Sequence, residues 1–190
     1  ADLKFPHHEN ERAQSEGATD QTFVNTWMHV GFVQIDKEKM SKSLHNFLTI
    51  KDMLAQYEGE VIRYFLLASH YRSPVNYSQE SLDLAKNALT TLYTALRGVT
   101  LEEGPLEKRY EDHFIEVMED DFNTPEAFVV LFDLAHDLNI AKTDNVSLVP
   151  ALAYALKKLA NTLGFLEEDP DVFLQGDNVN SAEIDNLIAE

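Results

Sequence analysis

Between Leu82 and Leu163 the chain places apolar residues three and four apart, over and over, and this constrains its fold more than any other feature. Leu82, Ala85, Leu89, Leu92 and Leu96 make one stripe, closed by Gly98. Tyr110, Phe114, Val117 and Met118 make a shorter one, and Phe128, Leu131, Ala135 and Leu138 a third. Leu148, Leu152, Ala155, Leu159 and Leu163 complete the set before Gly164. A period near 3.6 puts such residues on one side of a helix, and an apolar side has to be buried against another. Ser78 suits the N-cap of the first helix, and Thr124-Pro125 reads as a cap followed by proline at the first helical position of the third. Four amphipathic helices with short links predict an up-down bundle whose leucine and aromatic stripes are core packing.

The residues before Ser78 follow other rules. Residues 22–35 are rich in β-branched and aromatic side chains, so the portion from about Trp27 to Val33 predicts a mostly buried strand. His29 lies inside it and reads first as a satisfied core residue. Pro6 favours a helical first turn, predicting a helix from His7 to about Glu16, ahead of Gly17. Thr49 and Asp52 have capping-box spacing, so a short helix is expected from Ile50 to near Tyr57, followed by a mostly buried one over Val61 to Ala68. At the other end, residues 165–181 are acidic and turn-rich and predict a surface linker, with an amphipathic helix beginning near Ser181.

Charge separates the two parts further. Residues 1–77 hold 8 Lys/Arg against 10 Asp/Glu, while residues 78–190 hold 7 against 23, so most of the formal net charge of −18 lies on the helical part. A general nucleic-acid-binding surface needs the opposite sign, and an anionic ligand fits the first part better. Cysteine is absent, which excludes disulfides and thiolate metal ligands from this chain. No apolar run approaches the ~18 residues of a membrane-spanning helix, so no membrane partner is expected and a cytoplasmic setting is the default.

Two motifs carry chemistry. In Lys39-Met40-Ser41-Lys42-Ser43, ammonium groups and hydroxyls alternate just after the apolar run. Lysine is a point charge for phosphate oxygens and serine adds donors beside it, so the loop reads either as a phosphate clamp or as a solvated turn. His7 and Glu11 are four apart, which stacks them on one helical face. They read either as two ligands of a zinc ion or as a surface pair near a helix N-terminus. His8 points to one side, toward solvent or a hydrogen-bond partner. Arg63 and Arg72 are the obvious further cations.

Taken together, Phe5-Pro6-His7-His8-Glu9-Asn10-Glu11, Trp27-Met28-His29 and Lys39-Met40-Ser41-Lys42-Ser43-Leu44 resemble the cysteinyl-tRNA synthetases, a class I aminoacyl-tRNA synthetase family. Val61-Ile62-Arg63-Tyr64-Phe65-Leu66-Leu67, His70-Tyr71-Arg72-Ser73, Asn76-Tyr77-Ser78 and Asp120-Asp121-Phe122-Asn123-Thr124-Pro125 extend the resemblance over essentially the whole chain. One departure is His45, in Ser43-Leu44-His45-Asn46-Phe47, where the family has glycine; this would stiffen the loop or alter its closed pose.

The resemblance implies a mainly α protein: the C-terminal remnant of a Rossmann-type catalytic domain, followed by a helical bundle. Residues 1–48 would be the end of the catalytic domain with its signature loop, 49–77 the stem-contact region, 78–166 the bundle of the tRNA-binding half, and 167–190 a linker with the start of a further helix. It implies the ATP-dependent activation of cysteine and its transfer to tRNA, with tRNA for cysteine, L-cysteine and ATP with magnesium as partners. Lys39 and Lys42 would act in catalysis, Lys42 with Met40, Ser41 and Ser43 in binding ATP. His7 and Glu11 would be half the ligands of one zinc ion per full-length subunit, the other two being cysteines outside this chain. The chain starts at Ala1 just before a dense motif and stops inside an amphipathic run, so it is expected to be a fragment, inactive alone. A related ligase joining cysteine to an amino sugar, and a non-catalytic helical interaction module, are the alternatives.

Overall fold

The computed structural model describes residues 3–35 and 48–175, with the backbone alone of Glu38 and Lys39. Met40, Ser41, Lys42, Ser43 and His45 lie outside the described residues, as does the helix expected from Ser181. The protein is mainly α, as expected, and among the described residues a single small sheet has the strand order β2-β1-β3.

The bundle is formed by α4 (Gln79–Leu96), α5 (Lys108–Glu119), α6 (Thr124–Asp144) and α7 (Val149–Thr162). Leu82, Ala85, Leu89, Leu92 and Leu96 are all buried, and so are Phe128, Leu131, Ala135 and Leu138. A fully buried leucine contributes about 1.5–3 kcal/mol over an exposed one, so these stripes hold the bundle together. Helix α6 packs on α4, α5 and α7 and is accordingly buried on several sides, with Ala127, Val130, Leu134 and Ala141 also covered. Helices α4 and α5 are joined by the longer segment 97–107 instead of a short link.

Several local expectations change. The cap of α6 is Asn123, whose side chain accepts from the Glu126 N–H; Pro125 follows in the first turn. Thr124 is buried, and its hydroxyl donates to the Leu67 carbonyl at 2.7 Å. Leu148 is exposed, because it sits in a 3₁₀ turn (Val146–Leu148) before α7 begins. The expected linker after Gly164 is structured through residue 175. Phe165 and Leu166 are fully buried, and α8 (Pro170–Gln175) packs on α4, with Phe173 stacked 3.9 Å from Tyr93.

The first part is built around α1 (Glu9–Thr19), β1 (Val33–Ile35), β2 (Glu38–Lys39), α2 (Ile50–Leu54), α3 (Gly59–Leu67) and β3 (Val75–Tyr77). Thr49 and Asp52 form the expected capping box. Gly17 does not stop α1, which runs on to Thr19 and closes on left-handed Asp20. The strand expected over Trp27 to Val33 forms only at Val33–Ile35, and Trp27, Met28, Val30 and Phe32 are exposed. A strand needs partners on its edges, and β1 finds them only here: β3 runs parallel on one side and β2 antiparallel on the other. The parallel pair is connected through α2 and α3, the crossover that a parallel sheet requires.

Candidate functional site

His7 closes a π-type turn (Lys4–His8) that leads directly into α1, and Glu11 lies in the first turn of α1. Both side chains are exposed. An imidazole and a carboxylate suit zinc, and two such donors fill half of a tetrahedral shell. Among the described residues, no group of three or more His, Asp or Glu side chains is arranged to hold a metal ion.

The neighbouring His8, set aside from the sequence as pointing to one side, is half-buried and meets His29. Nδ1 of His8 lies 3.2 Å from Nε2 of His29, and Trp27 stacks on both rings, with centroids 5.1 Å and 6.1 Å away. Two imidazoles at that distance share one proton, so they cannot both be cationic without losing the contact. Desolvation, then the charges of Lys4 and His8, hold the His29 imidazole below its usual pKa. His29 is thus no enclosed core residue but half of a hydrogen-bonded imidazole pair stacked with an indole. Trp27 and His29 are two apart, which puts them on the same side of an extended chain; that spacing was the available signal.

Lys39 is paired through its backbone with Gln34, so the signature motif begins within a strand returning along β1, not as a free loop. What holds β1 is visible. The Gly31 N–H donates to the Tyr71 carbonyl at 2.7 Å, and the Val75 N–H donates to that of Phe32 at 2.8 Å. The two backbones approach so closely that a Cβ on Gly31 would fall 2.1 Å from the Ser73 carbonyl oxygen. Glycine is required at this crossing for that steric reason.

The two arginines that look available for phosphate are engaged. Arg63 donates to the Gly164 carbonyl at 2.7 Å. Arg72 holds Asp121, with Nε 2.9 Å from Oδ2 and Nη2 3.0 Å from Oδ1, and the Tyr71 hydroxyl donates to Oδ1 at 2.7 Å. The Tyr71 hydrogen bond and the Arg72 charge hold the Asp121 carboxyl below the usual carboxylate range. Both matches were legible as motifs, but their pairing was not.

Two cavities among the described residues lie elsewhere. One of about 380 Å³, lined by Arg109, Tyr110, Asp137, Asp144 and Leu152 among others, opens between α5, α6 and α7. A second, of about 310 Å³, is lined by Glu58, Glu60, Glu167 and Glu168 with Arg63, a poor host for phosphate. Glu60 accepts from the Tyr93 hydroxyl at 2.7 Å and from the Leu166 N–H, and burial raises its pKa against those two hydrogen bonds.

Comparison with known proteins gives two family matches: the tRNA synthetases class I (C) catalytic domain over residues 1–87, and the DALR domain over residues 113–167. The whole chain is also similar to proteins named cysteine--tRNA ligase. It is 50% identical over 190 residues to one from Vibrio vulnificus (strain CMCP6), and 52% identical over 193 residues to one from Shewanella loihica. With one from Yersinia enterocolitica the identity is 53% over 195 residues. All of this chain is covered in each case, but it spans only 41–42% of the length of these curated relatives.

Proposed function

We propose, on the premise that this chain belongs to the class I (C) tRNA synthetase family, that it is the signature-loop and bundle portion of a cysteine--tRNA ligase. The observation that carries the reading is identity of 50–53% along the full chain with relatives of that name. The chemistry of the residues agrees. The cysteine carboxylate would attack the α-phosphate of ATP, and negative charge would build on the departing pyrophosphate. Lys42 is assigned to that charge, with Lys39 shaping the loop and Met40, Ser41 and Ser43 completing the contact with ATP. This is electrostatic stabilisation of a phosphoryl-transfer transition state by placed cations, not acid–base catalysis.

His7 and Glu11 would hold a zinc ion together with ligands from other residues. When bound, zinc would supply a soft centre for the substrate thiolate, which separates cysteine from serine better than a hydrophobic pocket does. The exposed placement of both side chains on one continuous helical run supports this assignment. The bundle is assigned to tRNA, in line with the DALR match, and its strong negative charge argues that contact is local rather than spread over the surface. Among the described residues, no helix is long and apolar enough to cross a membrane; a cytoplasmic setting goes with the proposed role.

The test is a chimera in which this chain replaces the matching stretch of the Vibrio vulnificus protein. It is expected to charge tRNA with cysteine, and Lys42→Ala within it to slow adenylate formation on the order of 100-fold while cysteine affinity stays unchanged. A normal adenylation rate in Lys42→Ala, or a loss confined to cysteine affinity, would refute the role given to Lys42.

A further inference from the structure

The turn between α5 and α6 is held in a costly shape. Asp121 and Phe122 are both left-handed, with φ of 56° and 55°. Each such non-glycine residue costs roughly 1–2 kcal/mol and persists only where its surroundings over-determine it. Part of the determination is local. The Phe122 N–H donates to Met118 and the Asn123 N–H to Val117, which closes the end of α5. The rest comes from a segment some fifty residues earlier. Tyr71 and Arg72 both grip the Asp121 carboxylate, and His70 Nε2 lies 3.2 Å from the Asp121 carbonyl oxygen. A helix hairpin needs no such partners to close.

The gripped segment is the one that registers β1. Tyr71 supplies the carbonyl for Gly31, the Ser73 carbonyl fills the place a side chain on Gly31 would take, and Val75 begins the parallel ladder to β1. From Ile35 the chain passes to β2, which contains Lys39. The left-handed turn of the bundle is therefore joined, through one carboxylate and one loop, to the ladder in which Lys39, the first residue of the lysine-serine motif, lies.

We propose that Asp121 is a positioning residue: from the bundle it sets the loop 70–73, and through that loop the β1–β2 ladder at whose Lys39 the signature lysines begin. The proposal rests on reading those lysines as groups of the ATP site. Asp121 itself touches no substrate. Its side chain is 39% exposed, so the grip has the modest strength of a partly solvated ion pair supported by a phenol hydrogen bond. Such a joint holds a loop in register without locking it.

Amide hydrogen exchange on the chain itself tests the mechanical claim. Asp121→Asn keeps the size and the tolerance for positive φ while removing the charge; Tyr71→Phe removes the hydroxyl from the other side and serves if the first variant folds poorly. Exchange at Gly31 and Val75 is expected to rise about threefold or more, with Leu134 and Leu156 in α6 and α7 unchanged. No rise at Gly31 and Val75, or an equal rise at all four, would overturn the proposal. In the chimera, Asp121→Asn is expected to lower the kcat of adenylate formation with KM for cysteine unchanged. Faster exchange with unaltered kcat would overturn the link to the lysines. If the unsubstituted chimera charges no tRNA, the functional reading falls, while the exchange result still decides whether Asp121 holds β1.

Discussion

Trp27 and Leu92 are both large apolar side chains in runs that read as core, yet Trp27 is 41% exposed and Leu92 is fully buried. The contrast holds across their regions. Phe23, Met28, Val30 and Phe32 lie in the open, whereas Leu82, Leu89, Tyr93 and Leu96 are covered. A helix makes its own hydrogen bonds, so its apolar side needs only other apolar sides, and α4 finds them on α3, α6 and α8. An extended segment needs partners for its backbone as well as its faces. Among the described residues, the chain over 31–35 finds its backbone partners in 71–77 and in β2, while Phe32 and Val33 stay exposed and Ile35 is half-buried.

Truncation separates the regions most sharply. Leu92→Ala should cost about 2–5 kcal/mol and Val30→Ala less than about 0.5, read from urea denaturation followed by far-UV circular dichroism. Equal losses would mean that 23–33 packs far more tightly than its exposure indicates. Gly31→Ala comes next, at about 1–3 kcal/mol, because its methyl group must displace the Ser73 backbone. It should change the fluorescence of Trp27, the single tryptophan, while the bundle melts as before. A lowered bundle transition would show that the two regions unfold together.

The smallest expected effect concerns pH, and two joints between the regions differ in its sign. Glu60 has its pKa raised by burial, so the stability it contributes is present below the ordinary carboxylate range and is lost as pH rises through its folded pKa. Asp121 has its pKa lowered, so its contribution is present above that range and lost as pH falls. Lowering the pH toward the ordinary carboxylate range should therefore tighten the contact of α3 with residues 164–168, and only pH below that range should loosen the grip on loop 70–73. Thermal melts of Glu60→Gln should show the rising-pH loss removed, and those of Asp121→Asn the acid loss removed. Parallel curves for wild type and both variants would refute the assignment.

Much of this was legible because it was local. The capping box at Thr49, the Ser78 cap and the stripes of α4 and α6 each depend on residues within a few turns. The mistakes fall where a distant group intervened. Thr124 lost the cap position to Asn123 and gave its hydroxyl to Leu67, and Phe165 and Leu166 were drawn into the core from a stretch that read as acidic linker. The His8–His29 pair, and the grip of Tyr71 and Arg72 on Asp121, join residues 21 and about fifty positions apart, which no short window relates.

By itself, the order of residues determined the helical class, the apolar stripes and the motifs that carry the family resemblance. Periodicity and capping are properties of a few consecutive turns, and motif chemistry of a few side chains. Only the tertiary structure decided that β1 is short, that its register is set by a loop held from the bundle, and that the two visible arginines are already bound. Those outcomes depend on which distant groups the closed chain brings together, and their free energies have to offset the entropy of closing the loops between them.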